Sequence, residues 1–132
     1  MHSLVRETLE RDGWEVTDDP YSIRYGNKKI EIDLAAEQLL AAERGPEKIV
    51  VEVKSFLSKA VFNEFHEALG QFINYRRVLK FNQDSHKLYL AIPSDAYQFI
   101  FEDDLGRATL EEERLSLIVF SVKEKAILEW IN

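Results

Sequence analysis

Lys48-Ile-Val-Val-Glu-Val-Lys54 decides the fold. Ile49, Val50, Val51 and Val53 are β-branched, so the stretch reads as a strand. Strand side chains alternate between faces. Ile49, Val51 and Val53 share one face, and Val50, Glu52 and Lys54 the other. An otherwise hydrophobic strand thus carries an acid and a base on one side, two residues apart. Upstream, Lys29 to Leu34 alternates in the same way, with Ile30, Ile32 and Leu34 on one face and Glu31 and Asp33 on the other. If the two strands pair, Asp33 and Glu52 converge. On its own, an E-x-K strand is more often a solvated face or a cross-strand ion pair.

The elements around it supply context. Lys59 to Phe81 reads as the longest helix, with an apolar stripe from Val61, Phe65, Ala68, Leu69, Phe72, Ile73 and Leu79. Leu88 to Ile92 is a short apolar strand. Strand, helix and strand between 48 and 92 imply a parallel pair joined by a crossover. Towards the N-terminus, 4–12 reads as a helix capped at Gly13. Trp14 to Val16 opens a strand, and Tyr21 to Tyr25 is a strand turned at Gly26-Asn27 into the return strand Lys29 to Leu34. Gln38 to Arg44 extends that strand or forms a further short one, and Gly45-Pro46 breaks it. After Pro93-Ser94-Asp95 a helix runs to about Glu102. Gly106 to Arg114 has no clear state, and Leu115–Val122 with Ala126–Ile131 forms a closing hairpin. The expectation is a single α/β domain over 1–132, with a mixed central sheet flanked by helices and a C-terminal β-hairpin addition.

Composition bounds the function. The 132 residues include 24 Asp and Glu against 17 Lys and Arg, a formal charge of -7, which argues against a general nucleic-acid coat. The charge is polarised, however. Arg76, Arg77, Lys80 and Lys87 fall between Gly70 and Leu90 against one acid, Asp84, so one face can still be basic. There is no Cys, which excludes disulfides, thiolate zinc sites and cysteine nucleophiles and suits a cytoplasmic protein. No run reaches the roughly 18 apolar residues of a membrane span, and the N-terminus lacks the apolar stretch of a secretory signal.

Convergent carboxylates raise one another's pKa unless a cation sits between them. Mg²⁺ (or Mn²⁺) takes such oxygens and keeps several waters. Asp33, Glu52 and the Val53 carbonyl are the candidate metal ligands, with Lys54 placed to hold the attacking water or stabilise a phosphate. Gln71 and Tyr75 share a helix face, and Gln71 is the supporting candidate. Glu43 is an alternative ligand, and Glu7 and Glu10 are candidates for a first-helix acid. His2, His66 and His86 lack metal-ligand spacing and read as surface or core residues.

The strand Asp, the following E-x-K strand and the flanking Q-x-x-x-Y helix resemble PD-(D/E)XK nucleases, with Ile32 in place of Pro before Asp33. The 19 residues from Asp33 to Glu52 are long for that pattern, with Ala35 to Gly45 expected as an elongated hairpin. The resemblance then becomes closer. D-G-W at 12–14, D-L-A-A-E at 33–37, A-A-E-R at 41–44, V-E-V-K-S-F at 51–56, A-L-G-Q-F-I-N-Y-R at 68–76, L-Y-L-A-I-P at 88–93 and the closing I-L-E-W-I occur in order. Together they resemble the XisH family, the fdxN element excision controlling factors, over nearly the whole chain. The resemblance implies a restriction-endonuclease-like fold and a role in programmed excision of a DNA element, beside a site-specific recombinase and a small partner, XisI. It carries over Asp33, Glu52 and Lys54, with Gln71 in support. Where the family pattern has an acid after the early His, this chain has Ser3.

Two functions are expected to compete. One is a Mg²⁺-dependent deoxyribonuclease hydrolysing phosphodiester bonds in DNA. The other is a non-catalytic accessory binding DNA or an XisI-like partner. Trp14, Trp130 and Tyr97-Gln98-Phe99-Ile100-Phe101 exceed the obvious needs of one core, so a homodimer or larger oligomer is expected.

Overall fold

Five consecutive buried residues, Ile49 to Val53, require cover on both faces of one strand and neighbours on both edges. The computed structural model, which describes residues 1–25, 28–29, 38–57 and 59–132, supplies both. In chain order the elements are α1 (His2–Arg11), β1 (Glu15–Asp18), β2 (Arg24–Tyr25), β3 (Lys28–Lys29), β4 (Gln38–Arg44), β5 (Glu47–Val53), α2 (Val61–Phe81), β6 (Lys87–Pro93), α3 (Ser94–Phe101), α4 (Asp104–Glu112), β7 (Leu117–Ser121) and β8 (Ala126–Ile131). Six strands form one mixed sheet in the order β1-β4-β5-β6-β7-β8, and β2 and β3 form a separate ribbon. The pairs β5/β6 and β6/β7 are parallel, and the others are antiparallel. The described residues thus form a mixed α/β fold with four helices.

Alternation in β5 divides the core in two. Val50 faces a cluster with Phe65, Ala68, Phe72, Tyr75 and Leu79 of α2. Ile49, Val51 and Val53 face a second cluster with Val5 and Leu9 of α1 and Trp14. Phe65 and Phe72 are buried as the apolar stripe predicts, while Leu69 is only partly buried at its edge.

Several expectations need correction. Of the two readings of Gln38 to Arg44, the further strand holds, and it is a seven-residue member of the central sheet paired with β5 from Gln38↔Val53 to Arg44↔Glu47. The expected elongated hairpin of 35–45 is, over 38–44, a strand of the sheet, and 35–37 lie outside the described residues. The β4–β5 turn is tight instead, with Gly45 in the left-handed region at φ +58. Within Tyr21 to Tyr25 only Arg24–Tyr25 pairs as a strand, with Lys28–Lys29. Tyr21 donates its backbone N–H to the Leu39 carbonyl (2.8 Å) and its hydroxyl to Asp84 (2.5 Å), and Ile23 is buried. The Gly26-Asn27 turn and most of the return strand, Ile30 to Leu34, lie outside the described residues. The segment 106–114 belongs largely to α4, whose N-cap Asp103 accepts from the Leu105 N–H (2.9 Å). The closing hairpin is no appendage, because β7 lies beside β6 as part of the central sheet.

Trp14 and Trp130 stack on one another (5.7 Å between ring centroids), and Tyr97 packs on Phe101 (5.2 Å). The aromatics that suggested an oligomer mostly fill this chain's own core, Phe99 apart, which is 59% exposed.

Two outcomes follow from this packing. A Cβ at buried Gly106 would lie 1.9 Å from the Ile100 carbonyl oxygen, a backbone atom that cannot yield without moving α3 against α4. Gly106→Ala should therefore lower the unfolding free energy by about 2 kcal/mol, read by urea denaturation. Asp84 and Asp19 provide the second. Burial pushes both carboxyls up, but hydrogen bonds from Tyr21 and His86 to Asp84, and from His2 and Arg6 to Asp19, outweigh it and hold both below the usual carboxylate range. A depressed carboxyl stabilises the fold above its unfolded pKa of about 3.9 and loses that contribution as pH falls through the folded value. Stability should thus drop steeply below about pH 4, and more shallowly in Asp19→Asn/Asp84→Asn, by thermal melts across pH.

Candidate active site

Glu52 and Lys54 are where alternation puts them. Glu52 is 0% exposed and Lys54 5%. The strand ladder continues past β5, because the Lys54 N–H donates to the Ala91 carbonyl (3.2 Å). Both side chains therefore leave on the Val50 side, towards α2, separated along the strand by about 7 Å. A solvated face would leave an E-x-K pair in water, and this pair is out of it.

Burying a charge is costly without partners. Glu52, Lys54, Gln71 and Tyr75 all have them. Away from bulk water, each electrostatic contact in this region is stronger than at the surface. Two residues beyond Lys54 the chain bends sharply. Phe56, a non-glycine residue, takes left-handed backbone (φ 54) while its ring stays in the α2-side core. Such strain costs on the order of 1–3 kcal/mol and persists where surrounding packing enforces it.

Helix α2 covers this face. Ala68 and Tyr75 are buried, and Gln71 is half-buried at the edge of the same stripe, as its spacing from Tyr75 predicts. Glu64 lies seven residues before Gln71 and so on the same edge. It is half-buried, its Oε2 is sealed from solvent, and it too has an interaction partner. Glu64 is absent from the candidates read in the sequence. The signal was available in the Glu64-Ala68-Gln71-Tyr75 spacing, which repeats the helical period.

The remaining candidates separate clearly. Asp33 lies outside the described residues. The Val53 side chain points into the α1-side cluster. Glu43 stands opposite Lys48, with 3.9 Å between their charged atoms, and Leu39 is the residue opposite Glu52. Glu43 is therefore a surface ion-pair partner, four positions along β4 from the Glu52 level. Glu7 and Glu10 are exposed on α1, which packs on the other face of the sheet, and Glu10 pairs with Arg6 (3.6 Å). Neither joins Glu52. His2 and His86 are half-buried, each with a ring nitrogen on a carboxylate, Asp19 (2.8 Å) and Asp84 (2.6 Å). Among the described residues, no three His, Cys, Asp or Glu side chains gather as a metal centre. No helix among them is long and apolar enough to cross a membrane.

Comparison with known proteins places the chain. The XisH protein family profile matches residues 1–128. A solved structure of an XisH family protein from Nostoc punctiforme PCC 73102 is 42% identical, with 99% of this chain and 98% of that one covered and a TM-score of 0.88. A fdxN element excision controlling factor protein from Anabaena variabilis is 41% identical over 99% of this chain and 97% of that one, with a TM-score of 0.89. No curated protein matches. With the profile spanning nearly the whole chain and two solved relatives sharing its fold end to end, this protein belongs to the XisH family.

Proposed function

We propose that this protein takes part in excision of a DNA element, through a restriction-endonuclease-like site that hydrolyses phosphodiester bonds with Mg²⁺ or Mn²⁺. The observation that carries the reading is the burial of Glu52 and Lys54 on one face of a central strand in an otherwise apolar sheet. A protein that needed only a fold would gain stability from apolar residues at both positions. The excision role rests on the name borne by the relative from Anabaena variabilis.

The donor set suits a hard divalent ion. Mg²⁺ is usually bound by one or two carboxylates plus water and substrate phosphate, so a closed three-acid cage is not required. Glu52, the Val53 carbonyl and Asp33 would hold it. When bound, such an ion lowers the pKa of a coordinated water and offsets charge on a phosphate. Glu52 contributes a carboxylate fixed by packing, which costs no reorganisation during reaction. Lys54 contributes a positive charge beside the attacked phosphate. Gln71, on the edge of α2, orients water or phosphate through its amide.

A second reading has an observation in its favour. The formal charge of -7 opposes tight hold on DNA. On that reading the same fold is a non-catalytic accessory of a site-specific recombinase, acting with an XisI-like partner or as a homodimer.

The two readings part in one experiment. Purified protein with supercoiled DNA and Mg²⁺ should show cleavage that Glu52→Gln abolishes. Lys54→Ala should slow it by about 10²–10³-fold, the loss typical of one preorganised electrostatic contact. If wild type leaves the DNA intact, and excision in cells survives both substitutions, the nuclease reading is wrong and the accessory reading stands.

A further inference from the structure

The basic residues of this acidic protein are unevenly placed. Arg6, Arg44 and Lys48 each pair with a carboxylate. Arg76, Arg77 and Lys80 of α2, with Lys87 and Arg114, do not: among the described residues no carboxylate lies within ion-pair distance of these five. They line two adjoining hollows that share Arg76 and Lys80, the larger of about 720 Å³. Complementing the negative end of the α2 dipole accounts for Lys80 in the last turn. It does not account for Lys87 at the start of β6 or for Arg114 beyond α4. Three of the five are held by uncharged partners, Arg77 by a long contact to the Asn74 side-chain oxygen (3.4 Å). Arg76 donates to the Glu113 and Arg114 carbonyls (2.9 and 3.2 Å), and Lys87 to the Asn132 side-chain oxygen (2.8 Å). These bonds order the cations without neutralising them, and the carboxylate that shares the smaller hollow, Asp84, is engaged by Tyr21 and His86.

A second feature shares the hollow. Phe81 is 65% exposed, and Tyr25 beside it 51%. Their rings stack on each other at 5.8 Å, 28° from parallel. The Asn82 side chain donates to the Arg24 carbonyl (2.5 Å) and ties the β2–β3 ribbon to the end of α2. Two large rings stacked in the open, among cations, form an apolar platform that folding alone does not call for.

The platform and the Glu52 site are separate. Gln71 and Lys80 are nine positions apart, about two and a half helical turns, and so lie on opposite sides of α2. Arg77, Lys80 and Phe81 are exposed on the outward side, with half-buried Arg76 at its margin and Lys87 and Arg114 beside it.

We propose that this outward face of α2 binds single-stranded nucleic acid, the cations tracking its phosphates and the Phe81–Tyr25 stack receiving an unpaired base. Cationic grooves with stacking aromatics hold single strands with little sequence preference, because every base has a π-face. A duplex keeps its bases stacked inside and offers the exposed ring nothing. An acidic peptide would meet the cations and leave the platform unused. The protein's overall negative charge repels a polyanion elsewhere more than at a cluster of cations such as this one.

The test is fluorescence anisotropy of the full chain with labelled oligothymidylate of about 20 nucleotides, over a series of salt concentrations. Wild type should bind with log K falling as log salt rises. Arg77→Ala/Lys80→Ala should reduce the slope by about 1.4, at about 0.7 per phosphate contact for single strands. Phe81→Ala should weaken binding about tenfold, and Phe81→Trp should preserve it. Arg77 and Lys80 are exposed, so their double variant should melt only slightly below wild type, by the loss of the Lys80 interaction with the helix end. It should stay fully folded at the assay temperature, so its loss of affinity reads on binding. Glu52→Gln should bind as wild type does, which keeps this result independent of the catalytic reading. No salt-dependent binding by wild type, or a duplex bound as tightly and unaffected by Phe81→Ala, overturns the proposal. Polyglutamate displacing the oligonucleotide at equal charge concentration overturns it in favour of an acidic protein partner.

Discussion

Glu52 has no solvent exposure, and Lys54 has almost none. Ionised groups in such places must be offset by neighbours, because the desolvation cost is several kcal/mol per charge. That constraint organises one face of the sheet. The strand carrying the pair lies between β4 and β6, its opposite face is sealed by the α1-side cluster, and α2 closes over it with a stripe that is apolar in the middle and polar at one edge. Glu64 and Gln71 lie on that polar edge. A helix packed only for stability would place alanine or leucine there.

The two sides of α2 do different work in this account. Its inner edge carries Glu64 and Gln71 on the side of the helix that faces the sheet, where burial makes electrostatics stronger than at the surface. Its outer side carries solvent-facing cations and exposed rings, where contacts are weaker one by one, salt-dependent and tolerant of sequence. One amphipathic helix with a third, basic face thus separates a candidate chemical function from a candidate holding function.

Much of the architecture was legible from periodicity. The alternation in Lys48–Lys54 gives the facing of Glu52 and Lys54, because a strand has only two faces to choose between. The parallel pair of β5 and β6 follows from a helix inserted between two apolar runs. The β4 pairing was harder to read. Gln38–Arg44 is Leu- and Ala-rich and alternates poorly, so its continuity with the sheet is decided by the register against β5 and by the tight Gly45 turn. That register also sets Glu43 against Lys48 and removes it from the site, which sequence proximity alone cannot show. The place of β7 beside β6 was invisible for a similar reason: a closing hairpin looks the same whether it caps a sheet or completes one. Glu7 and Glu10 failed as site acids because the apolar face of α1, Val5 and Leu9, commits that helix to the opposite side of the sheet.

The central claim is that Glu52 is buried in order to hold a divalent ion, with Lys54 beside it for a phosphate. Anomalous diffraction from crystals soaked in Mn²⁺ tests this most directly. The account predicts an Mn²⁺ peak within about 2.0–2.6 Å of a Glu52 carboxylate oxygen, shared with Asp33. Mn²⁺ bound elsewhere on the protein, with the Lys54 ammonium occupying the space beside Glu52 as a closed structural ion pair, would contradict it.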